Sequence, residues 1–131
     1  MEKIFLDTGF IIALIRPSDE NHLRAKEISN RIYSTFFLSD HIIDEVVTFL
    51  GKYKETETAY EVGKRLLNSD NVEIAFPARE ELEIGLELFN KYKELSLCDA
   101  LSVVFMKRHE VKKIISFDSD FDLIPGIERI H

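Results

Sequence analysis

Short apolar runs alternate with longer amphipathic segments along the chain. Ile4-Phe5-Leu6 ends at Asp7-Thr8-Gly9, and the apolar residues that follow through Leu14 predict a strand handing over to a short helix. Pro17-Ser18-Asp19 stops that helix and opens another, with Leu23, Ala25, Ile28 and Ile32 on its apolar side. Phe36-Phe37-Leu38 predicts the second strand, and Ser39-Asp40 supplies helix-starting chemistry for a helix over 42–50. Gly51 and the charged run 52–57 separate it from a helix over 58–67, after which Asn68-Ser69-Asp70-Asn71 reads as a loop. A third strand follows over 72–76. Pro77 precedes a helix over 78–92 in which Leu82, Leu86 and Phe89 share a side, and a further helix runs from Ser96 to Arg108. The pattern closes with a fourth strand over 113–117 and a short edge strand over 127–130, without an internal repeat.

Such alternation favours an α/β fold with a parallel sheet covered on both faces, because each apolar strand needs protection on both sides. The active crevice of such a sheet lies at the C-terminal ends of its strands. With 131 residues, 45% of them hydrophobic, and only five Gly and three Pro, the chain is expected to form one domain over 1–131 rather than a linker-rich or disordered polymer. Asp7 interrupts the apolar opening, and Arg16-Pro17-Ser18 is no small-residue cleavage site, so this segment reads as mature protein. No 18-residue apolar stretch suits a membrane span. The single cysteine, Cys98, excludes an intramolecular disulfide, suits a reducing cytoplasm and reads as a small core side chain. The net charge of -7 argues against a grip on duplex nucleic acid through an overall positive field.

Candidate chemistry lies among the carboxylates. Asp7 ends the first predicted strand and Asp118 follows the fourth, so parallel neighbouring strands would bring both to one sheet edge. Either alone is commonly a turn or cap residue. Glu45 lies on the margin of the apolar arc formed by Ile42, Ile43, Val46, Val47, Phe49 and Leu50, where its carboxylate can reach a cleft edge; Asp44 points away. Asp99 has Val103 and Met106 on either angular side, and it reads either as the third residue of a capping box begun by Ser96 or as part of a metal site. Two such charges about 5 Å apart repel by on the order of 3 kcal/mol at an effective dielectric near 20. Bound Mg²⁺ or Mn²⁺ would offset that repulsion, polarise a phosphodiester and activate water.

Asp120 can support a metal directly or through water, whereas Asp122 reads as a turn or surface residue. An EF-hand is excluded, since a loop beginning at Asp118 puts Leu123 where Gly is needed and Arg129 where the terminal Glu belongs. Thr8, Ser116 and Ser119 read as supporting hydroxyls, without a serine-hydrolase signature. The four histidines lack metal-ligand spacing. Lys107, Arg108, His109, Lys112 and Lys113 form the best local basic patch, with Lys52 and Lys54 a second contribution; they support RNA phosphate binding only if they rim the acidic cleft.

The segments Ile4-Phe5-Leu6-Asp7-Thr8, Glu45, Leu97-Cys98-Asp99-Ala100-Leu101-Ser102 and Ser116-Phe117-Asp118-Ser119-Asp120-Phe121 together resemble the PIN-domain nuclease family, particularly its small VapC-like toxins. The likeness spans nearly the whole chain. It implies a three-layer α/β/α sandwich with a mainly parallel sheet, and Mg²⁺- or Mn²⁺-dependent RNA cleavage that leaves a 5′-phosphate on the downstream product. It also implies a homodimer and, in free-standing members, a small cognate antitoxin. On this resemblance Asp7, Asp99 and Asp118 match metal-ligand positions, Glu45 a ligand or water-positioning group, and Asp120 an accessory acid. Gly9 departs from the frequent Asn, and Ser116 from the commoner Thr. Two other readings stand beside this one. A metal-dependent phosphomonoesterase would use similar chemistry, although Asp7-Thr8-Gly9 lacks the second Asp of a common aspartyl-phosphate pattern. A non-enzymatic interaction module would retain the carboxylates for structure alone.

Overall fold

Because the apolar runs are short and uninterrupted, they pair side by side as parallel strands with both faces covered. A computed structural model describes residues 2–131; Met1 lies outside it. Strand β1 (Lys3–Leu6) leads into α1 (Thr8–Ile15) and α2 (His22–Arg31), and β2 (Thr35–Ser39) into α3 (Asp40–Lys52) and α4 (Thr56–Asn68). After β3 (Val72–Ala75) come α5 (Arg79–Lys91) and α6 (Leu97–Arg108), then β4 (Lys113–Ile115), a 3-10 turn (Ser119–Leu123) and β5 (Glu128–Ile130). The strands form one parallel sheet in the order β3-β2-β1-β4-β5.

From β1 to β2 to β3 the chain steps one way across the sheet, so right-handed crossovers carry α1 to α4 over one face. The step from β3 to β4 passes back over β2 and β1 and carries α5 and α6 over the other. Helix contacts agree with this division: α1 packs on α2 and α3, α3 on α4, and α5 on α6. Phe5, Leu38, Ile114 and Ile115 are sealed between the layers, giving the expected α/β/α sandwich. None of the described helices is long and apolar enough to cross a membrane.

Three local expectations change. Leu82, Leu86 and Phe89, the predicted apolar side of α5, are exposed. Its buried residues are Glu81 and Gly85, and a Cβ at Gly85 would stand 2.7 Å from Leu101 Cδ2. The missing side chain lets α6 approach closely, so packing on α6 overrides the apolar periodicity. The third strand stops at Ala75, leaving Phe76 exposed, and the fourth stops at Ile115 rather than running to Phe117.

Candidate acidic site

The sheet register sets the position of Asp7. Leu6 pairs with Ile115, and Asp7 N donates to the Ile115 carbonyl at 3.1 Å, so Ser116 stands beside Asp7 where β1 and β4 end. Ser116 Oγ donates to Asp7 Oδ2 at 2.6 Å and accepts from Asp118 N at 3.0 Å. Asp118 Oδ1 in turn accepts from Asp120 N at 2.9 Å, which starts the 3-10 turn. On the other side, Asp7 caps α1 by accepting from Thr8 N at 2.9 Å, and Thr8 Oγ1 donates to Glu45 Oε1 at 2.6 Å. A continuous hydrogen-bonded path therefore joins Glu45, Thr8, Asp7, Ser116, Asp118 and Asp120.

Asp99 reaches the same group from the opposite layer. The Ser96 capping box is present: Asp99 N donates to Ser96 Oγ at 3.1 Å, and Ser96 N donates to Asp99 Oδ2 at 3.3 Å. Burial nonetheless raises the Asp99 carboxyl above the ordinary carboxylate range, helped by the charges of Asp118 and Glu45 and opposed by the Ser96 bonds. Asp7 is only 9% exposed. Burial, followed by the charges of Asp99 and Asp118, pushes it up to about 7 against the bonds from Ser116 and Thr8. Asp120 is raised chiefly by Asp118 and sits half-exposed on the rim. Asp7, Glu45, Asp99 and Asp118 thus form one electrostatic group, with Asp120 at its edge.

Cys98 packs against the core as expected, but it also borders these acids. Burial, then the charge of Glu45 and a hydrogen bond to it, push the thiol up. Its orientation follows from its place beside Asp99 at the start of α6, whose residues from Ala100 to Met106 are buried without interruption. Such a helix has no polar side from which phase can be read.

Among the described residues, no three or more His, Cys, Asp and Glu side chains form a ready group for holding a metal ion. The donor chemistry still fits a hard divalent cation: Asp7, Glu45, Asp99 and Asp118 offer carboxylate oxygens, with the charges of Asp99 and Asp118 raising the proton affinity of Asp7, and those of Asp118 and Glu45 that of Asp99. None of the four is ion-paired to Lys, Arg or His among the described residues. Arg129, paired with Asp122, feels the charge of Asp118 without forming an ion pair with any of the four.

The main basic patch does not rim this group. Residues 107–113 join the end of α6 to the start of β4 and so lie at the N-terminal edge of the sheet, opposite the acids. There Lys113 pairs with Glu2 at 3.3 Å, Lys107 Nζ donates to the Pro125 carbonyl, and a cavity is lined by Lys3, His109, Lys112 and their acidic neighbours. A parallel strand separates its two ends by its own length, which charge clustering along the sequence does not register. Lys52 does reach the acidic side, where it lines a depression with Glu45 and Thr8.

Arg129 is a supporting residue that sequence reasoning missed. Its side chain is 10% exposed, grips Asp122 through Nε and an Nη at 2.9 Å each, and donates to the Ser116 carbonyl at 3.2 Å. Asp122 is therefore a tether for the turn that carries Asp118 and Asp120. Arg129→Met is expected to lower the melting temperature by roughly 5 °C, with Arg129→Lys recovering only part because an ammonium lacks the two-pronged geometry. Unchanged melting in Arg129→Met would remove the tether from the account. Ser39, expected to help start α3, makes no cap bond; its Oγ is buried without a hydrogen-bond partner among the described residues.

Comparison with known proteins places this geometry in context. The family model described as the PIN domain matches residues 4–127. Ribonuclease VapC13 of Mycobacterium tuberculosis is 36% identical over 52 residues, a stretch covering 40% of this chain and 40% of that relative. VapC ribonuclease Mb1869c of Mycobacterium bovis matches to the same extent, so the chain aligns with less than half the length of either. The fold superposes on Mycobacterium tuberculosis VapC20, a sarcin-ricin loop cleaving toxin, with a TM-score of 0.87 at 24% identity, covering 95% of this chain and 97% of that one. A toxin-antitoxin complex from Klebsiella pneumoniae gives 0.71 at 22% identity, covering 95% of each chain.

Proposed function

This chain belongs to the PIN-domain family, and on that premise we propose that it is a metal-dependent RNA endonuclease acting as the toxin of a toxin-antitoxin pair. The observation that carries the reading is the electrostatic group around Asp7, which makes no ion pair with Lys, Arg or His among the described residues, at the C-terminal edge of a parallel sheet. Asp7, Asp99 and Asp118 are the proposed ligands of Mg²⁺ or Mn²⁺, with Glu45 a ligand or water-positioning group and Asp120 accessory. When bound, the ion supplies charge neutralisation, polarisation of the phosphodiester and activation of water for in-line attack. Thr8 holds Glu45, and Ser116 holds Asp7 against the Asp118 backbone. The exposed Leu82, Leu86 and Phe89 of α5 support a self-association surface, in keeping with a homodimer. A cognate antitoxin protein is the second proposed partner.

The test is the purified protein on a mixed RNA panel with Mg²⁺, Mn²⁺ or chelator, mapping product ends. Internal cuts that leave 5′-phosphates and vanish with chelator are expected. In parallel, Mn²⁺ should raise the melting temperature more at pH 8 than at pH 6, because protons compete for Asp7 below about 7. Metal-independent cuts, or no cuts across the panel, would reject the assignment. Release of terminal phosphate without internal cuts would favour the phosphomonoesterase.

A further inference from the structure

We propose that the groove between α1 and the C-terminal half of α3 is a nucleotide subsite that stacks an unpaired RNA base and holds its phosphate; the inference rests on the nuclease reading above. Glu45, Thr48, Phe49 and Lys52 follow one another at helical spacing and share one face of α3. With Thr8 and Ile12 of α1 they line a depression of about 260 Å³. Glu45 belongs to both this depression and the acidic group through its bond to Thr8, so the two are continuous.

At the far end of the groove is a cluster of two tilted aromatic rings and a guanidinium. The Phe49 and Tyr53 rings lie 5.0 Å apart, and the Arg16 guanidinium sits 4.2 Å from the Tyr53 centroid and 5.5 Å from that of Phe49. Glu55 steadies Arg16 at 3.6 Å. Tyr53 remains 53% exposed, which leaves ring surface open to a base. Aromatic rings and arginine planes are the surfaces on which unpaired bases stack. Lys52 lies between this surface and Glu45, and it makes no hydrogen bond or ion pair among the described residues. Lys3, Lys107 and Lys113 at the opposite sheet edge are all engaged with protein acceptors.

Tyr53 follows Glu45 by two helical turns, about 12 Å along α3. A base stacked there belongs to a nucleotide close to the bond at the acidic group, with Lys52 positioned for an intervening phosphate. A single-stranded segment fits this combination, because a duplex hides the base faces. An antitoxin segment using the same groove would need neither the ring face nor a single-stranded partner.

The experiment measures fluorescence anisotropy of a short labelled single-stranded RNA with the full chain in chelator, so that no cutting occurs. The same strand in duplex and a ribose-phosphate strand lacking bases are the comparison probes. Tyr53→Leu is expected to weaken single-strand binding about 10-fold while leaving the base-free strand unaffected, and Tyr53→Phe to restore the loss. Lys52→Ala is expected to weaken both strands and to reduce the salt slope by about 0.7, with Lys52→Arg restoring it. Wild-type affinity in both Tyr53→Leu and Lys52→Ala overturns the subsite, including in favour of a protein occupant. The cleavage panel with metal is scored separately: binding with these mutational effects but no cutting rejects the nuclease and retains the subsite, whereas cutting with unaffected binding does the reverse.

Discussion

At pH 8, the Asp7→Asn variant is expected to unfold at higher urea than the wild type while its RNA cleavage falls about 1000-fold or more. Both effects come from one buried carboxylate. At pH 8 Asp7 is ionised, held from water and repelled by Asp99 and Asp118, with hydrogen bonds from Ser116 and Thr8 as its compensation. Asn removes the charge and retains a carbonyl for the Thr8 N–H. Between the ordinary value of 3.8 and the folded value of about 7, native Asp7 keeps a proton that the unfolded chain has released. Native stability from this group is thus full below about pH 4, declines as pH rises through about 7, and is level above it. The wild type should lose on the order of 4 kcal/mol over that whole window in chelator, roughly 3 of it between pH 5 and pH 8, and Asp7→Asn should lack this loss. Urea melts at pH 5 and pH 8 measure it; parallel pH dependences in the two proteins would contradict the burial argument. A bound cation favours the ionised form, so the acid limb of cleavage should fall at or below pH 7.

Much of this arrangement is legible in the chain because it depends on strand ends. Ile4-Phe5-Leu6 followed by Asp7, and Ile114-Ile115 followed by Ser116 and Asp118, place polar groups directly after apolar runs. Parallel pairing then brings them together, as Leu6 opposite Ile115 does. The turn over 119–123 is not legible in the same way: only Phe121 within it is buried, so no apolar period marks it, and its tether to Arg129 is a contact between separate elements. The exposed side of α5 escaped the pattern because Gly85 wins the contact with α6 by having no side chain. The basic cluster misled for a topological reason, since neighbours along the chain before β4 stand at the opposite sheet edge from residues just after it. Asp99 presented two alternatives that are compatible in the fold: the capping box forms, and the same carboxylate feels Asp118 and Glu45.

That double role makes a comparison of Asp99→Asn with Ser96→Ala decisive. Asn at position 99 can still accept from Ser96 N, so the helix start is expected to survive while cleavage falls by about 100-fold or more through loss of the charge. Ser96→Ala removes the hydroxyl that accepts from Asp99 N, which should cost about 1 kcal/mol of stability and leave the carboxylate in place. The Ser96 bonds hold the Asp99 proton affinity down against burial, so removing the hydroxyl should raise it further. Cleavage by Ser96→Ala should therefore be retained at high pH, with its acid limb displaced upward. Circular dichroism melts establish folding, and rate profiles from pH 5 to 9 with Mn²⁺ separate the roles. Equal loss in both variants at every pH would mean that the helix start matters rather than the charge. Undiminished cutting by Asp99→Asn would remove Asp99 from the proposed ligands and leave the capping box as its whole contribution.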